Sequence, residues 1–123
     1  MPNSSLRVGA VIPSAGQGER FGNKKQFKLL GRRPLLFHTL TPFLKCDDIA
    51  EIVVVIPEED LETISRELAS FTSAKPVKTV SGGSQRQVSV LNGCLALSAN
   101  VEIIAVHDAV RPFVTPELIS ATI

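Results

Sequence analysis

The sequence predicts an α/β fold, a Rossmann-like parallel sheet with flanking helices. Three observations carry that expectation. Residues 8–12, 52–56 and 103–106 are short, apolar and rich in Val and Ile without polar alternation, which marks strands buried on both faces. Segments of helical period lie between them, and a strand–helix–strand alternation closes as a parallel sheet with right-handed crossovers. The composition is that of an ordinary globular chain, with 44% hydrophobic and 20% charged residues in 123. That length suits one domain, near the lower end of what a sheet covered on two faces needs.

The elements follow in order. Strand one is expected over 8–12. The apolar stretch 34–44 reads as a helix that Pro42, lacking an N–H, ends or kinks near Thr41. Strand two is expected over 52–56. In 58–71, Leu61, Ile64, Leu68 and Phe71 share one helical face, and Glu58, Glu59 and Asp60 sit at the electropositive start. Residues 77–80 are shorter and more polar, as an edge strand is. A third helix over 84–98 carries Val88, Leu91 and Leu95 on one stripe, with Cys94 as a small hydrophobe on its buried side. Strand four is expected over 103–106. Thr115-Pro116 then opens another helix, a capping hydroxyl followed by proline at the first helical position. With the polar strand at an edge, the sheet order becomes 3-2-1-4. The chain reverses between strands one and four, and open α/β sheets bind ligands at that reversal, beyond the carboxyl ends of the strands.

Charge and patterning exclude several function classes. A formal net charge of +1 argues against a nucleic-acid binder that works by bulk counterion release. No apolar run approaches the length of a membrane span. The opening Met-Pro-Asn-Ser-Ser has no basic segment followed by an apolar one, so no secretory signal is visible. Cys46 and Cys94 lack metal-type spacing and fit inert thiols in a reducing compartment. A cytoplasmic protein with neither nucleic acid nor membrane as partner is expected.

Three segments carry candidate chemistry, and all fall on one rim of the expected sheet. The first, 13–26, follows strand one. Its small residues and glycines let backbone N–H groups approach a phosphate, and Arg20, Lys24 and Lys25 can neutralise it. Two familiar templates fail here. Phe21 stands where a dinucleotide fingerprint needs its third glycine, which counts against an NAD-binding module. Asn23 follows Gly22 where a Walker A loop needs lysine. The second segment, 81–89, is a Gly-Gly turn into a helix, with Ser84 and Arg86 in its first turn. It suits either a base or anion held by backbone groups or a plain turn with a serine cap. The third, 106–112, places Asp108 at the reversal point, where a carboxylate suits Mg²⁺ and Arg111 can grip a second anion; alone, these two also read as a surface ion pair ending a strand. His107 can orient Asp108 or pack the backbone, and His38 reads as an ordinary histidine of an apolar helix. The shared rim favours function for the set.

These residues resemble a known family. Pro13-Ser14-Ala15-Gly16-x-Gly18-x-Arg20, followed by Lys25-Gln26-Phe27, resembles the opening signature of nucleotidyltransferases that join an NTP to a sugar or polyol phosphate. Gly82-Gly83-x-x-Arg86-Gln87-x-Ser89-Val90-x-Asn92-Gly93 and His107-Asp108-Ala109-x-Arg111-Pro112 narrow it to the cytidylyltransferase branch. The nearest match is the methylerythritol phosphate cytidylyltransferase family, with ribitol-5-phosphate cytidylyltransferases as the runner-up. The resemblance implies transfer of a cytidylyl group from CTP to 2-C-methyl-D-erythritol 4-phosphate, with release of pyrophosphate and a divalent cation, Mg²⁺, as cofactor. It implies catalytic roles for Arg20 and Lys25. Nucleotide contacts would come from Ser14, Ala15, Gly16, Gly83, Ser84 and Ser89. Asp108 would lie by the metal and the substrate phosphate, and Arg111 would contact that phosphate. Ser14 replaces a commoner alanine, and Ser84 stands where many relatives carry an acid.

The same resemblance implies a longer domain. Residues 1–123 are expected to be the N-terminal nucleotide-binding portion of a single nucleotidyltransferase domain. The family's homodimers form through an arm that follows this region, so no dimer is expected from this stretch itself. A fragment that binds nucleotide without turning it over remains an alternative.

Overall fold

The computed structural model describes residues 7–14, 29–31, 33–71, 75–83, 85–107, 115, 117 and 119. In chain order the elements are β1 (Val8–Pro13), β2 (Leu29–Leu30), β3 (Arg33–Pro34), α1 (Leu35–Lys45), β4 (Ile49–Ile56), a 3₁₀ turn (Glu58–Asp60), α2 (Leu61–Phe71), β5 (Val77–Ser81), α3 (Arg86–Ala96) and β6 (Ile103–Val106). The main sheet has the order β5-β4-β1-β6, parallel throughout. This is the expected 3-2-1-4 arrangement, with the polar strand at one edge. The small antiparallel pair of β2 and β3 is an addition that no periodicity announced.

The sheet is covered on two faces by different means. On one, Val8, Ala10 and Ile12 of β1 and Ile52, Val54 and Ile56 of β4 meet Leu36, Phe37, Leu40 and Phe43 of α1 and Ile64 and Leu68 of α2. On the other, Val11 and Val55 pack with Cys94 of α3 and Leu97 just beyond it. Two crossovers in one direction put α1 and α2 on the first face. The return from β5 to β6 puts α3 on the opposite one, as right-handed connections require.

Three local expectations need correction. Pro42 does not end its helix, for α1 continues to Lys45. Proline forfeits one backbone bond, but Pro42 and Phe43 are both buried on the helix's inner face, and stopping at Thr41 would leave Phe43 outside the core. The Thr41 hydroxyl donates to the Phe37 carbonyl at 3.1 Å in the turn ahead of the proline. The helix then ends on a borrowed cation, since Lys75 Nζ donates to Phe43 O at 2.9 Å and Cys46 O at 2.6 Å. A positive charge there satisfies terminal carbonyls and opposes the helix dipole.

Strand two is also longer than its apolar run, because β4 starts at Ile49 and takes in Glu51. The Glu51 carboxylate is buried on the α3 face, where the Ser98 N–H donates to it at 3.0 Å. Arg7 and Lys78 each approach it at 3.8 Å. Burial by itself would raise the pKa of this carboxyl. The bonds from the Ser98 backbone and side chain and the charges of Lys78 and Arg7 outweigh burial, and hold it below its ordinary value.

The third correction concerns α3, which is bounded by Arg86 and Ala96 and turns its large apolar stripe outward. Val88, Leu91 and Leu95 are exposed, while Ser89 and Gly93 are buried. A Cβ on Gly93 would lie 2.5 Å from Val11 Cγ1 and 2.9 Å from Val55 Cγ2. The helix therefore packs through its smallest residues, backbone close upon the sheet. Cys94 lies on the sheet side, partly buried, as expected. On α2, Ile64 and Leu68 are buried and Leu61 packs against the core, while the Phe71 side chain lies outside the described residues. The Ile119 N–H donates to Thr115 O at 3.0 Å, a helical bond beginning where the Thr-Pro signal predicts. No helix of the described residues is long and apolar enough to cross a membrane.

Candidate functional site

A parallel sheet sends all its strands out at one rim, and three of the four exits here are anchored to a neighbouring strand. After β1, the Ser14 N–H donates to Val55 O at 2.7 Å. After β5, the Gly82 N–H donates to Ile56 O at 2.9 Å. After β6, the His107 N–H donates to Val11 O at 3.1 Å. These bonds continue the ladder one step past the strands and fix where each loop begins. β1 and β6 are neighbours across the reversal of strand order, the place where open α/β sheets bind their ligands. β5 lies two strands from β1, about 10 Å at ordinary strand spacing, a span that a nucleoside laid along the rim can bridge.

Ser14 roots the first loop. It is buried, and its hydroxyl donates to Ile12 O at 3.2 Å. A serine is tolerated at this apolar position because its hydroxyl is satisfied within the strand end.

The turn after β5 is held from behind by α3. The Gly83 N–H donates to Ser89 Oγ at 3.1 Å, and that hydroxyl lies 3.5 Å from the Gly83 carbonyl. One turn further along, Asn92 Nδ2 donates to Ser81 O at 3.1 Å. Ser89 and Asn92 are three apart and so share one helix face. A Cβ on Gly83 would collide with the Val88 side chain, so residue 83 has to be glycine for the turn to close on its helix. The N–H groups of Gly82 and Gly83 are thus committed inside the protein, and carbonyl oxygen is what these two glycines can offer a ligand. On the far side, the His107 ring packs on Phe43, with centroids 5.2 Å apart. That contact ties the exit of β6 to α1.

Of the residues the sequence singles out, the structure places Ser14, Gly83 and Ser89 at this rim and brings Gly83 and Ser89 into contact. Ala15, Gly16, Arg20, Lys25, Ser84, Asp108 and Arg111 lie outside the described residues. Asn92 was visible only as part of a motif, and its spacing from Ser89 and Gly93 is the signal that sets it on the sheet side of α3. Among the described residues no group of three or more His, Cys, Asp or Glu is placed to hold a metal.

Residues 8–123 match the family model described as IspD, 2-C-methyl-D-erythritol 4-phosphate cytidylyltransferase. The chain belongs to that family. It is 45% identical to a bifunctional IspD/IspF enzyme of Solidesulfovibrio magneticus, over 94% of this chain and 31% of the relative. It is 36% identical to the 2-C-methyl-D-erythritol 4-phosphate cytidylyltransferase of Solibacter usitatus, over 94% of this chain and 51% of that one. Among solved structures, the 4-diphosphocytidyl-2C-methyl-D-erythritol synthase of Anaerococcus prevotii superposes with a TM-score of 0.81 at 29% identity, covering 94% of this chain and 49% of the other. The chain therefore spans about half the length of the single-function relatives it matches. The fold class is that of the IspD cytidylyltransferases.

Proposed function

We propose that this chain carries the nucleotide-binding part of a cytidylyltransferase site, which takes CTP and 2-C-methyl-D-erythritol 4-phosphate. A phosphate oxygen of the methylerythritol substrate attacks the α-phosphorus of CTP in line. The bond from that phosphorus to the bridging oxygen breaks, pyrophosphate leaves, and a CDP-linked product remains. Such transfer rests on positioning and on neutralising charge that spreads over the phosphoryl oxygens. Arg20 and Lys25, in the loop that Ser14 roots, supply that positive charge. Ala15 and Gly16 contribute close-lying backbone for the triphosphate. Gly83, Ser84 and Ser89 belong to the base and ribose end. Arg111 holds the phosphate of the second substrate bidentately.

The carboxylate of Asp108 directly follows His107 at the reversal point, and a hard oxygen donor beside phosphates is the chemistry Mg²⁺ takes. Bound there, the cation would neutralise triphosphate charge. A cytoplasmic setting and a homodimer in the longer family members complete the proposal.

The single supporting observation is that one family match spans residues 8–123 while the loops of its three motifs leave the sheet at the same rim. The deciding assay is pyrophosphate release over a panel of NTPs with methylerythritol phosphate or ribitol 5-phosphate, in the presence of Mg²⁺. It is run on this chain and on its full reading frame. CTP with methylerythritol phosphate should be the productive pair, and Lys25→Ala should lose turnover. Undiminished turnover by Lys25→Ala, in a preparation shown to be active, removes the role given to Lys25. Preference for ribitol 5-phosphate would reassign the substrate. CTP binding without turnover in either protein would leave a binding module.

A further inference from the structure

Two side chains of α3 reach back to the turn that leads into it. Ser89 holds Gly83 through its hydroxyl, and Asn92 donates its amide to the carbonyl of Ser81, the last residue of β5. Among the described residues β5 is an edge strand, with β4 on one side and no strand of the sheet on the other. Its exit would be free to swing if only the Gly82–Ile56 bond held it. The Asn92 bond removes that freedom from the helix side. Between them, Asn92 and Ser89 clamp both ends of the Ser81-Gly82-Gly83 stretch, and Gly93 presses the same helix face onto Val11 and Val55. The clamp is therefore referenced to the middle of the sheet.

This stretch offers carbonyl oxygen, because its glycine N–H groups are spent on Ile56 and Ser89. A fixed acceptor distinguishes pyrimidines at one position. Cytosine carries an amino donor at C4, whereas uracil carries an oxygen acceptor there. An acceptor that can drift loses that distinction first, since a drifting carbonyl neither meets the amino group nor repels the oxygen.

We propose that Asn92 is a specificity-determining positioning residue: by holding the Ser81 carbonyl it aims the Gly82-Gly83 backbone at the 4-substituent of a bound pyrimidine and so favours cytidine over uridine nucleotides. This rests on the reading of the rim as a nucleotide site. Asn92 itself need not touch the nucleotide.

The test is calorimetric titration of the chain with CTP and with UTP, for wild type, Asn92→Ala and Asn92→Asp, with thermal melts alongside. Asn92→Asp keeps the volume and removes the donor. Wild type should prefer CTP. In both variants CTP affinity should fall about tenfold, the value of one hydrogen bond, while UTP affinity changes by less than about twofold, so that the preference collapses. Asn92→Gln, which keeps an amide donor, should recover part of it. Equal losses for the two nucleotides, or an unchanged preference, overturn the inference and leave the nucleotide reading standing. Unfolding of both Asn92→Ala and Asn92→Asp assigns the residue to the fold and also overturns it. A folded wild type that binds neither nucleotide removes the underlying reading, and this inference with it.

Discussion

Gly93→Ala tests how α3 is seated. The added Cβ would lie 2.5 Å from Val11 Cγ1 and 2.9 Å from Val55 Cγ2, against about 3.5–4.0 Å for ordinary carbon contact. Neither valine can give way, because both are fully buried in the sheet. The helix must therefore retreat by roughly 1 Å at this point. Overpacking costs about 1–3 kcal/mol, and contacts below 3 Å with two immobile side chains take the upper part of that range, about 2–3 kcal/mol; replacing a mid-helix glycine by alanine returns about 1 kcal/mol through helix propensity. The balance is a loss of about 1–2 kcal/mol, or a midpoint lower by roughly 3–8 °C in a domain of this size. Thermal unfolding followed by far-UV circular dichroism reads it directly. Leu95→Ala on the exposed face of the same helix, with similar helix propensity, is the control and should change stability by less than about 0.5 kcal/mol. If Gly93→Ala melted at or above wild type, only the propensity gain would be acting. The close seating of α3, and its use as a reference for the Gly82-Gly83 turn, would then be wrong.

Two further perturbations address the charged groups. Glu51→Gln keeps the shape of the buried side chain but replaces its charge-assisted bond from Ser98 with a neutral one, and should cost about 1–2 kcal/mol at neutral pH. Because the folded-state pKa lies below the ordinary 4.5, the carboxylate's contribution is complete above that value and is lost as pH falls through the folded pKa. The stability gap between wild type and Glu51→Gln, read from urea titrations, should be flat from neutrality to about pH 5 and shrink below 4.5; a gap that widened on acidification would refute the sign. Lys75→Met should cost about 1–2 kcal/mol, because it strips two donors from the end of α1. Lys45→Met, at the exposed last residue of the same helix, should cost only a few tenths, and equal losses would show that the Lys75 bonds add nothing.

What the sequence made legible, and what it hid, divides along one physical line. The sheet was readable because a strand covered on both faces must be apolar at consecutive positions, and 8–12 and 52–56 are. The order was readable because 77–80, the polar strand, had to stand at an edge. The same reasoning stopped short at Ile49, where Glu51 interrupts the apolar run; a carboxylate interior to a strand is admitted only by partners far away in sequence, here Ser98, Lys78 and Arg7. Nor does periodicity show how α3 is seated, since it weighs large apolar side chains, whereas this helix approaches the sheet through Gly93 and Ser89. Pro42 is the third case, a local veto overridden by the burial of Phe43. In each, a tertiary partner decided against the local rule.

The strand exits from which the candidate site is built were legible for a different reason. Its motifs are runs of unusual backbone chemistry at strand exits, and a strand exit is recoverable from the strand. What no motif reveals is how the exits are held. The glycines around 82 suggest a pliant loop, yet their N–H groups are bonded to Ile56 and Ser89, and Asn92 anchors the residue before them. Rigidity here comes from α3, the element whose packing the sequence concealed. A substitution that shifts α3 without touching the rim, such as Gly93→Ala, should therefore weaken discrimination between CTP and UTP as well as stability. Leu95→Ala should affect neither. If Gly93→Ala lost stability but kept full discrimination, the helix would be a support for the sheet alone, and the turn would draw its geometry from β4 through Ile56.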